Sequence, residues 1–288
     1  MPETLNRKYK NTLKPLRTVV FVLAILLMTS LFATEAYAVR VSLQRVIFAG
    51  AKKSEVITII NNTASEKTYR LGWKKFRMDE AKSLSSIDKG EKYDDILWAE
   101  NMVRYAPRRI TIPAGGSQQV RLMLRRPKEI QEAEYRAHLW IVSEGKPPVF
   151  DATPDGNKQE IRLAVQPAIS LPVFVRHGAL DAKASISDAV LKSGKEGLNI
   201  SFSINRDGNR SIYGDFDFAC VDGGKETILR QARGIAVYLE IGRRLLSYDL
   251  PLGPETVNSC NTVKVTFRSS PNDPQFKGET LAETTVSR

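Results

Sequence analysis

Glu160–Arg176 reads EIRLAVQPAISLPVFVR. Every second residue from Ile161 is apolar: Ile161, Leu163 and Val165, then Ile169, Leu171, Val173 and Val175. Arg162, Gln166 and Ser170 stand between them. A period of two places the apolar set on one face of a strand. The run is about 15 residues, against a usual strand of about 5–6, and at ~3.3 Å per residue it spans roughly 50 Å. A strand of that length outruns its neighbours in a small sandwich. What is left over is an apolar edge, which proteins normally avoid because edges aggregate. The stretch therefore predicts a strand made to be given to another chain.

The ends of the sequence set the compartment. Arg7, Lys8, Lys10, Lys14 and Arg17 precede an apolar run from Thr18 to Ala33, and Ala36-Tyr37-Ala38 has the pattern of a cleavage site. Residues 1–38 thus read as a cleaved signal peptide rather than an anchor, the apolar run falling short of the ~20 residues needed to span a bilayer. Cleavage after Ala38 predicts a chain that works outside the cytoplasm. It also lowers the formal charge from +11 by three, to +8. The remaining Lys and Arg are scattered, without a block of five like charges, which argues against nucleic acid as a partner. Export predicts a disulfide between Cys220 and Cys260, the only two cysteines.

Short strand-like runs separated by turn signals fill Arg40 to Arg176. They include SEVITII (54–60), ending in the turn cluster Asn61-Asn62-Thr63, then TYRLGWKKF (68–76), RITIP (109–113), QQVRLMLR (118–125) and YRAHLWIVS (135–143). A short helix is expected around Ile96–Tyr105, and Trp73 is expected at the centre of a core. GKPPVFDATPDGNKQ (145–159) reads as a long hairpin loop ahead of the opening strand. Arg176-His177-Gly178 marks a boundary, and the strand-like runs beyond it predict a second, smaller β domain. The expected organisation is 39–176 and 177–288, each a β-sandwich.

The order VSLQRVIF, VITIINNT, YRLGW, APRRITIPAGGSQQVRL, EYRAHLWI and ISLPVFVRHG resembles the periplasmic pilus chaperones of the chaperone–usher pathway. It is most similar to the branch serving archaic-type pili. The resemblance covers nearly all of the first domain and is weaker in the second. It implies an all-β fold of two immunoglobulin-like sandwiches in an L-shaped arrangement. It implies a chaperone that folds and caps pilus or fimbrial subunits by donor-strand complementation and delivers them to an outer-membrane usher. Main-chain bonds would give affinity and alternate side chains would fill pockets. The donor strand would carry Leu163, Val165, Ile169, Leu171 and Val173. No cofactor, metal or nucleotide is implied, and the free protein is left as a monomer or a self-capping oligomer.

The resemblance also implies a basic anchor for the subunit's C-terminal carboxylate, a group that needs charge-assisted partners once out of water. Arg45 matches the first-strand arginine of the family. The lysine that the best-known members carry just before the hinge is missing, since Ser170–Pro172 occupy those positions. Arg136 and Arg176 are the candidates for the second cation. Arg176 also matches an arginine that ties the two domains together, with Glu134 as its partner.

Other chemistry finds little footing. His138 and His177 are the only histidines, and the chain has no G-x-S-x-G elbow, so an enzyme is not expected. Histidines and cysteines are not clustered at metal-ligand spacing. The alternative to a chaperone is a secreted or surface β-sandwich that binds carbohydrate, with Tyr93 and Trp98 as stacking aromatics.

Overall fold

The computed structural model describes residues 39–288 except 83, 89, 146–148, 153–160, 165, 195–196 and 253–259. Among the described residues no helix is present. Thirteen strands lie in the first part of the chain: β1 (Val39–Val41), β2 (Val46–Phe48), β3 (Ser54–Asn61), β4 (Lys67–Lys74), β5 (Phe76–Met78), β6 (Leu84–Ser86), β7 (Val103–Ala106), β8 (Arg109–Ile112), β9 (Ser117–Leu124), β10 (Ala133–Ser143), β11 (Val149–Ala152), β12 (Ile161–Ala164) and β13 (Ala168–His177). Seven more come after them: β14 (Ala182–Ser193), β15 (Gly197–Gly208), β16 (Ile212–Asp222), β17 (Lys225–Val237), β18 (Arg243–Pro251), β19 (Thr262–Ser269) and β20 (Thr280–Ser287).

Two sheets, β1-β3-β9-β7 and β2-β13-β10-β4-β8, enclose the first core. Alternation builds it. Ile57 and Ile59 of β3, Val120 and Leu122 of β9, Leu139 and Ile141 of β10, and Leu171, Val173 and Val175 of β13 all point inward. The sheets β14-β15-β18 and β17-β16-β19-β20 enclose a second core, in which Phe202, Phe216, Phe218 and Phe267 cluster. Phe174 of β13 belongs to this second core, because an even-numbered residue of β13 faces away from the first. At the junction Gly178 has φ +83°, and a Cβ there would meet the Glu132 side chain at 2.4 Å. The chain turns where only glycine fits.

Buried Asn61 closes the end of β3. Its amide nitrogen donates to the carbonyls of Ser65, Ile112 and Pro113, and its oxygen accepts from the Thr63 backbone and hydroxyl. The turn cluster seen in the sequence is thus a side-chain clamp across three connections.

Three expectations are corrected. Residues 96–105 are not helical. The Ala99 N–H and the Leu97 carbonyl bond to the Arg136 backbone of β10, and Val103–Ala106 join β9. Those peptide groups are spent across the sheet rather than along a helix. Trp73 is half-buried, edge-on to Tyr105 at 5.1 Å, and not a core centre. The long strand is two pieces. β12 pairs with β11 as a separate hairpin, and β13 starts only after Pro167, which has no N–H to give a ladder.

Cys220 of β16 and Cys260 are joined by a disulfide buried in the second core. It closes a loop with a sequence separation of 40. Replacing both cysteines by serine is expected to cost up to about 4 kcal/mol in chemical denaturation. Unchanged stability would mean the cross-link restrains nothing in the unfolded chain.

Candidate functional site

The outer face of the β10–β13 pair is where the site is built. On β10 the odd residues enter the first core, so Glu134, Arg136 and His138 emerge on the other side, and on β13 Phe174 and Arg176 do the same. The second sandwich covers all of them. Arg136 holds Glu240 in a two-pronged ion pair, Nη1 to Oε2 and Nη2 to Oε1, both at 2.8 Å, and Nη2 also donates to the Phe76 carbonyl. Glu240 Oε1 accepts in addition from the Met78 N–H. Arg176 Nε donates to Glu134 Oε2 at 2.8 Å, from the facing register position. Glu134 Oε1 then accepts the Ser211 N–H at 3.0 Å. Asp273 Oδ2 takes Arg210 at 2.6 Å and Arg176 at 3.4 Å.

His138 lies between these pairs, fully buried, with both ring nitrogens lacking a hydrogen-bond partner among the described residues. Its ring packs against Phe76 at 5.0 Å and Tyr238 at 6.2 Å. Burial, then Arg136, then Arg45 lower its pKa to about 3, so it is neutral in the fold. A hydrolytic role has no access to this imidazole.

Arg45, half-buried, differs from the buried arginines. It precedes β2, whose parallel pairing with β13 runs Val46↔Val173, Ile47↔Phe174 and Phe48↔Val175. Arg45 therefore stands level with Pro172, where β2's cover of β13 ends. From Ala168 to Pro172 the same edge carries no strand among the described residues. The guanidinium stacks on the Tyr213 ring at 3.2 Å and lies 5.2 Å from the Phe174 ring. Its Nε and Nη1 are buried and have no hydrogen-bond acceptor among the described residues. Burial pushes its pKa below the usual arginine range, with Tyr238 and Tyr213 opposing.

The Arg45 side chain lines a cleft of about 660 Å³ between the sandwiches, with Gln44, Lys52, Glu55, Tyr213 and Asp215. The acidic groups of this cleft are already engaged. Glu55 pairs with Lys52, Asp215 with Arg233, and Asp273 with Arg210 and Arg176. The cleft thus offers a desolvated cation with unused donors beside an open strand edge, an arrangement suited to a carboxylate.

The sequence-predicted residues separate accordingly. Arg45 is at the cleft. Arg136, the other candidate for the second cation, gives Nη1 and Nη2 to Glu240 and the Phe76 carbonyl, while its Nε has no acceptor among the described residues. Arg176 pairs with Glu134 and with Asp273, which itself lines the Arg45 cleft. Leu171 and Val173, expected in the donor strand, are fully buried in their own core. Ile169 is half-buried at the margin of that core. Leu163 falls in β12, and Val165 lies outside the described residues. Tyr93 and Trp98, the candidate sugar platforms, are faced by Arg77 at 4.7 Å and Lys75 at 4.9 Å. Glu240, Asp273, Arg210 and Tyr213 were missed by sequence reading. Each is a polar residue among many, and only packing against β10, β13 or β2 distinguishes it.

No protein-family model and no curated protein matches the chain. Solved structures do resemble it. A chain of the CsuC–CsuE chaperone–tip adhesion subunit pre-assembly complex, from archaic chaperone-usher Csu pili of Acinetobacter baumannii, is 10% identical with a TM-score of 0.42, over 86% of this chain and 97% of that one. The Pseudomonas aeruginosa CupB2 chaperone is 10% identical at 0.39, over 86% and 99%. A chain of the Salmonella enterica SafA pilin–SafB chaperone complex is 12% identical at 0.40, over 89% and 99%. The strand edge and the cleft, rather than these likenesses, carry the chemistry of the site.

Arg136→Ala leaves Glu240 as an unpaired buried charge, with an expected loss of about 3–5 kcal/mol in urea unfolding. Arg136→Met combined with Glu240→Leu should recover most of it. Equal stability of the single and double variants would mean that the pair carries no such coupling. For His138, the folded pKa lies below the unfolded value near 6.5, so its contribution is complete above pH 6.5 and fades as pH falls toward 3. Unfolding at pH 7 and pH 5 should show a loss about 2 kcal/mol smaller in His138→Phe than in the native protein. Parallel pH profiles would contradict a neutral buried imidazole.

Proposed function

We propose that this protein is a periplasmic chaperone for pilus or fimbrial subunits, lending a strand to a subunit that lacks one and passing it to an outer-membrane usher. The observation that carries the reading is Arg45: a half-buried guanidinium with two buried, unused donor nitrogens, at the point where β2's cover ends and the edge of β13 opens. A partner strand that ends in a carboxylate at Arg45 would run from Ala168 toward Pro172. It would then lie parallel to β13, continuing the line that β2 begins. Main-chain bonds along that edge supply affinity, and the fixed carboxylate sets the register.

The apolar side chains lent to the partner are, in this reading, those that share the phase of Leu171 and Val173 but precede them. Ile169 is the first, and behind it along the chain stand Val165, Leu163 and Ile161. Burying each would contribute about 1.5–3 kcal/mol gross, part of it offset by ordering of the partner. Residues 1–38, which lie outside the described residues, serve as the export signal in this scheme. Residues 39–176 form the lending domain and 177–288 supply the second wall of the cleft. Among the described residues no helix is long and apolar enough to cross a membrane.

The test is co-purification with an incomplete fimbrial subunit as a 1:1 complex. Arg45→Ala is expected to weaken binding by about thirtyfold or more while the melting temperature changes little. Adding one residue to the subunit's C-terminus should have the same effect on native protein and none on Arg45→Ala. Ile169→Asp should also abolish the complex and leave a folded chaperone, whereas Leu171→Asp would unfold its own sandwich. Native-like binding by both Arg45→Ala and Ile169→Asp would refute the proposal.

A further inference from the structure

A second, smaller cavity of about 280 Å³ lies beyond the Ala49-Gly50 turn from the Arg45 cleft. Arg126, Arg176, His177, Gly178, Arg210 and Gln275 line it. Arg210 is 1% and Arg176 is 6% exposed. Four guanidinium nitrogens here are buried without an acceptor among the described residues: Nε and Nη2 of Arg126, Nη2 of Arg176 and Nε of Arg210. Buried donors are nearly always satisfied, and each orphan costs roughly 1–3 kcal/mol. Three arginines that line one cavity thus carry four donors in want of an acceptor.

The carboxylates nearby are committed elsewhere. Glu134 is held by Arg176 Nε and the Ser211 N–H. Asp273 Oδ2 is shared by Arg176 Nη1 and Arg210 Nη2, so two guanidiniums already converge within one oxygen's reach. Its Oδ1 accepts the Gln275 and Phe276 N–H groups. Glu132 accepts from the Ala179 N–H. Arg126 Nη1 donates to the Gly50 carbonyl. A water molecule would suit this lining poorly, because it would bring two more O–H donors among cations. An acceptor-only anion with several oxygens matches it.

We propose that this cavity is a binding site for a tetrahedral oxyanion, phosphate or sulfate, held by Arg126, Arg176 and Arg210 at the junction of the two sandwiches. Arg176 and Arg210 are oriented by Glu134 and Asp273. Arg126, from the segment after β9, closes the site. The volume equals that of about nine liquid waters, so the ion enters whole with room for a short ester substituent. The site adjoins the Arg45 cleft, sharing Ala49 and Pro274 with it, and does not depend on the chaperone reading.

Isothermal titration calorimetry with inorganic phosphate, against sodium chloride at equal ionic strength, measures it directly. The full chain should bind one phosphate per molecule with millimolar or tighter affinity, and ³¹P line broadening should saturate at the same stoichiometry. Arg126→Gln, which leaves the Glu134 and Asp273 pairs intact, should weaken binding at least about tenfold. Arg45→Gln should leave it unchanged. Glycerol 3-phosphate, run alongside, separates a free ion from a phosphate ester by which binds more tightly. No saturable heat, or equal thermal stabilisation of native protein and Arg126→Gln by phosphate, would overturn the site and leave only the general salting effect of the anion.

Discussion

Among the described residues, strand β13 is paired on one side along its whole length and on the other for three residues. β10 covers it from Ala168 to His177, while β2 reaches only Val173 to Val175. That asymmetry governs both cores and the cleft between them. The paired side commits Leu171, Val173 and Val175 to the first core and gives the strand its rigidity. The half-open side leaves main-chain groups from Ala168 to Pro172 without a ladder among the described residues, which is the liability an edge always carries. Proline at 167 and 172 limits the donors that such an edge can offer to an unspecific neighbour. The same strand turns Phe174 and Arg176 toward the second sandwich, so one element serves both cores and the boundary between them.

Charge rather than apolar area gives that boundary its specific register. Arg136 with Glu240 and Arg176 with Glu134 and Asp273 are buried pairs whose desolvation consumes much of the Coulomb gain. Their value lies in geometry. A two-pronged guanidinium–carboxylate contact tolerates little displacement, and the neighbouring His138 must remain uncharged beside it. The cleft at Arg45 inherits this fixed geometry, since Tyr213, on which Arg45 stacks, belongs to the second sandwich. Arg45 is then the exception that gives the region its chemistry, a cation held in place by an aromatic ring instead of by a counter-ion.

Much of this architecture was legible along the chain. Alternation in β3, β9 and β10 predicted strands and inward faces, the clusters at 61–63 and 113–116 marked turns, and the two cysteines announced their bond. The apolar alternation from Ile161 to Val175 was right about phase and wrong about continuity. Period two cannot register that Pro167 interrupts a ladder, nor that β11 captures the first half. Nor could it tell an apolar face lent outward from one buried at home, since Leu171 and Val173 read the same either way. The 96–105 segment failed for a related reason: Leu97 and Ala99 make backbone bonds with Arg136, some forty residues ahead, and Val103–Ala106 pair with β9. Of the site, Arg45 and the Arg176–Glu134 contact could be placed from local motifs and resemblance. Glu240, Asp273 and Tyr213 could not, because their meaning comes from contacts across the two sandwiches.

The parallel pairing of β2 with β13 also has a consequence in time. The Val46↔Val173 contact closes a loop of about 127 residues, and loops of that length are joined late because their closure entropy precedes any reward. A chain that emerges from its N-terminus first exposes Arg45 long before residue 173 is available to seat β2 beside it. Tyr213 arrives later still. The cleft is therefore one of the last features the molecule acquires, and a half-emerged chain holds neither the stacked guanidinium nor the edge it stands beside. Whatever that cleft binds, it binds only to a chain that has finished folding.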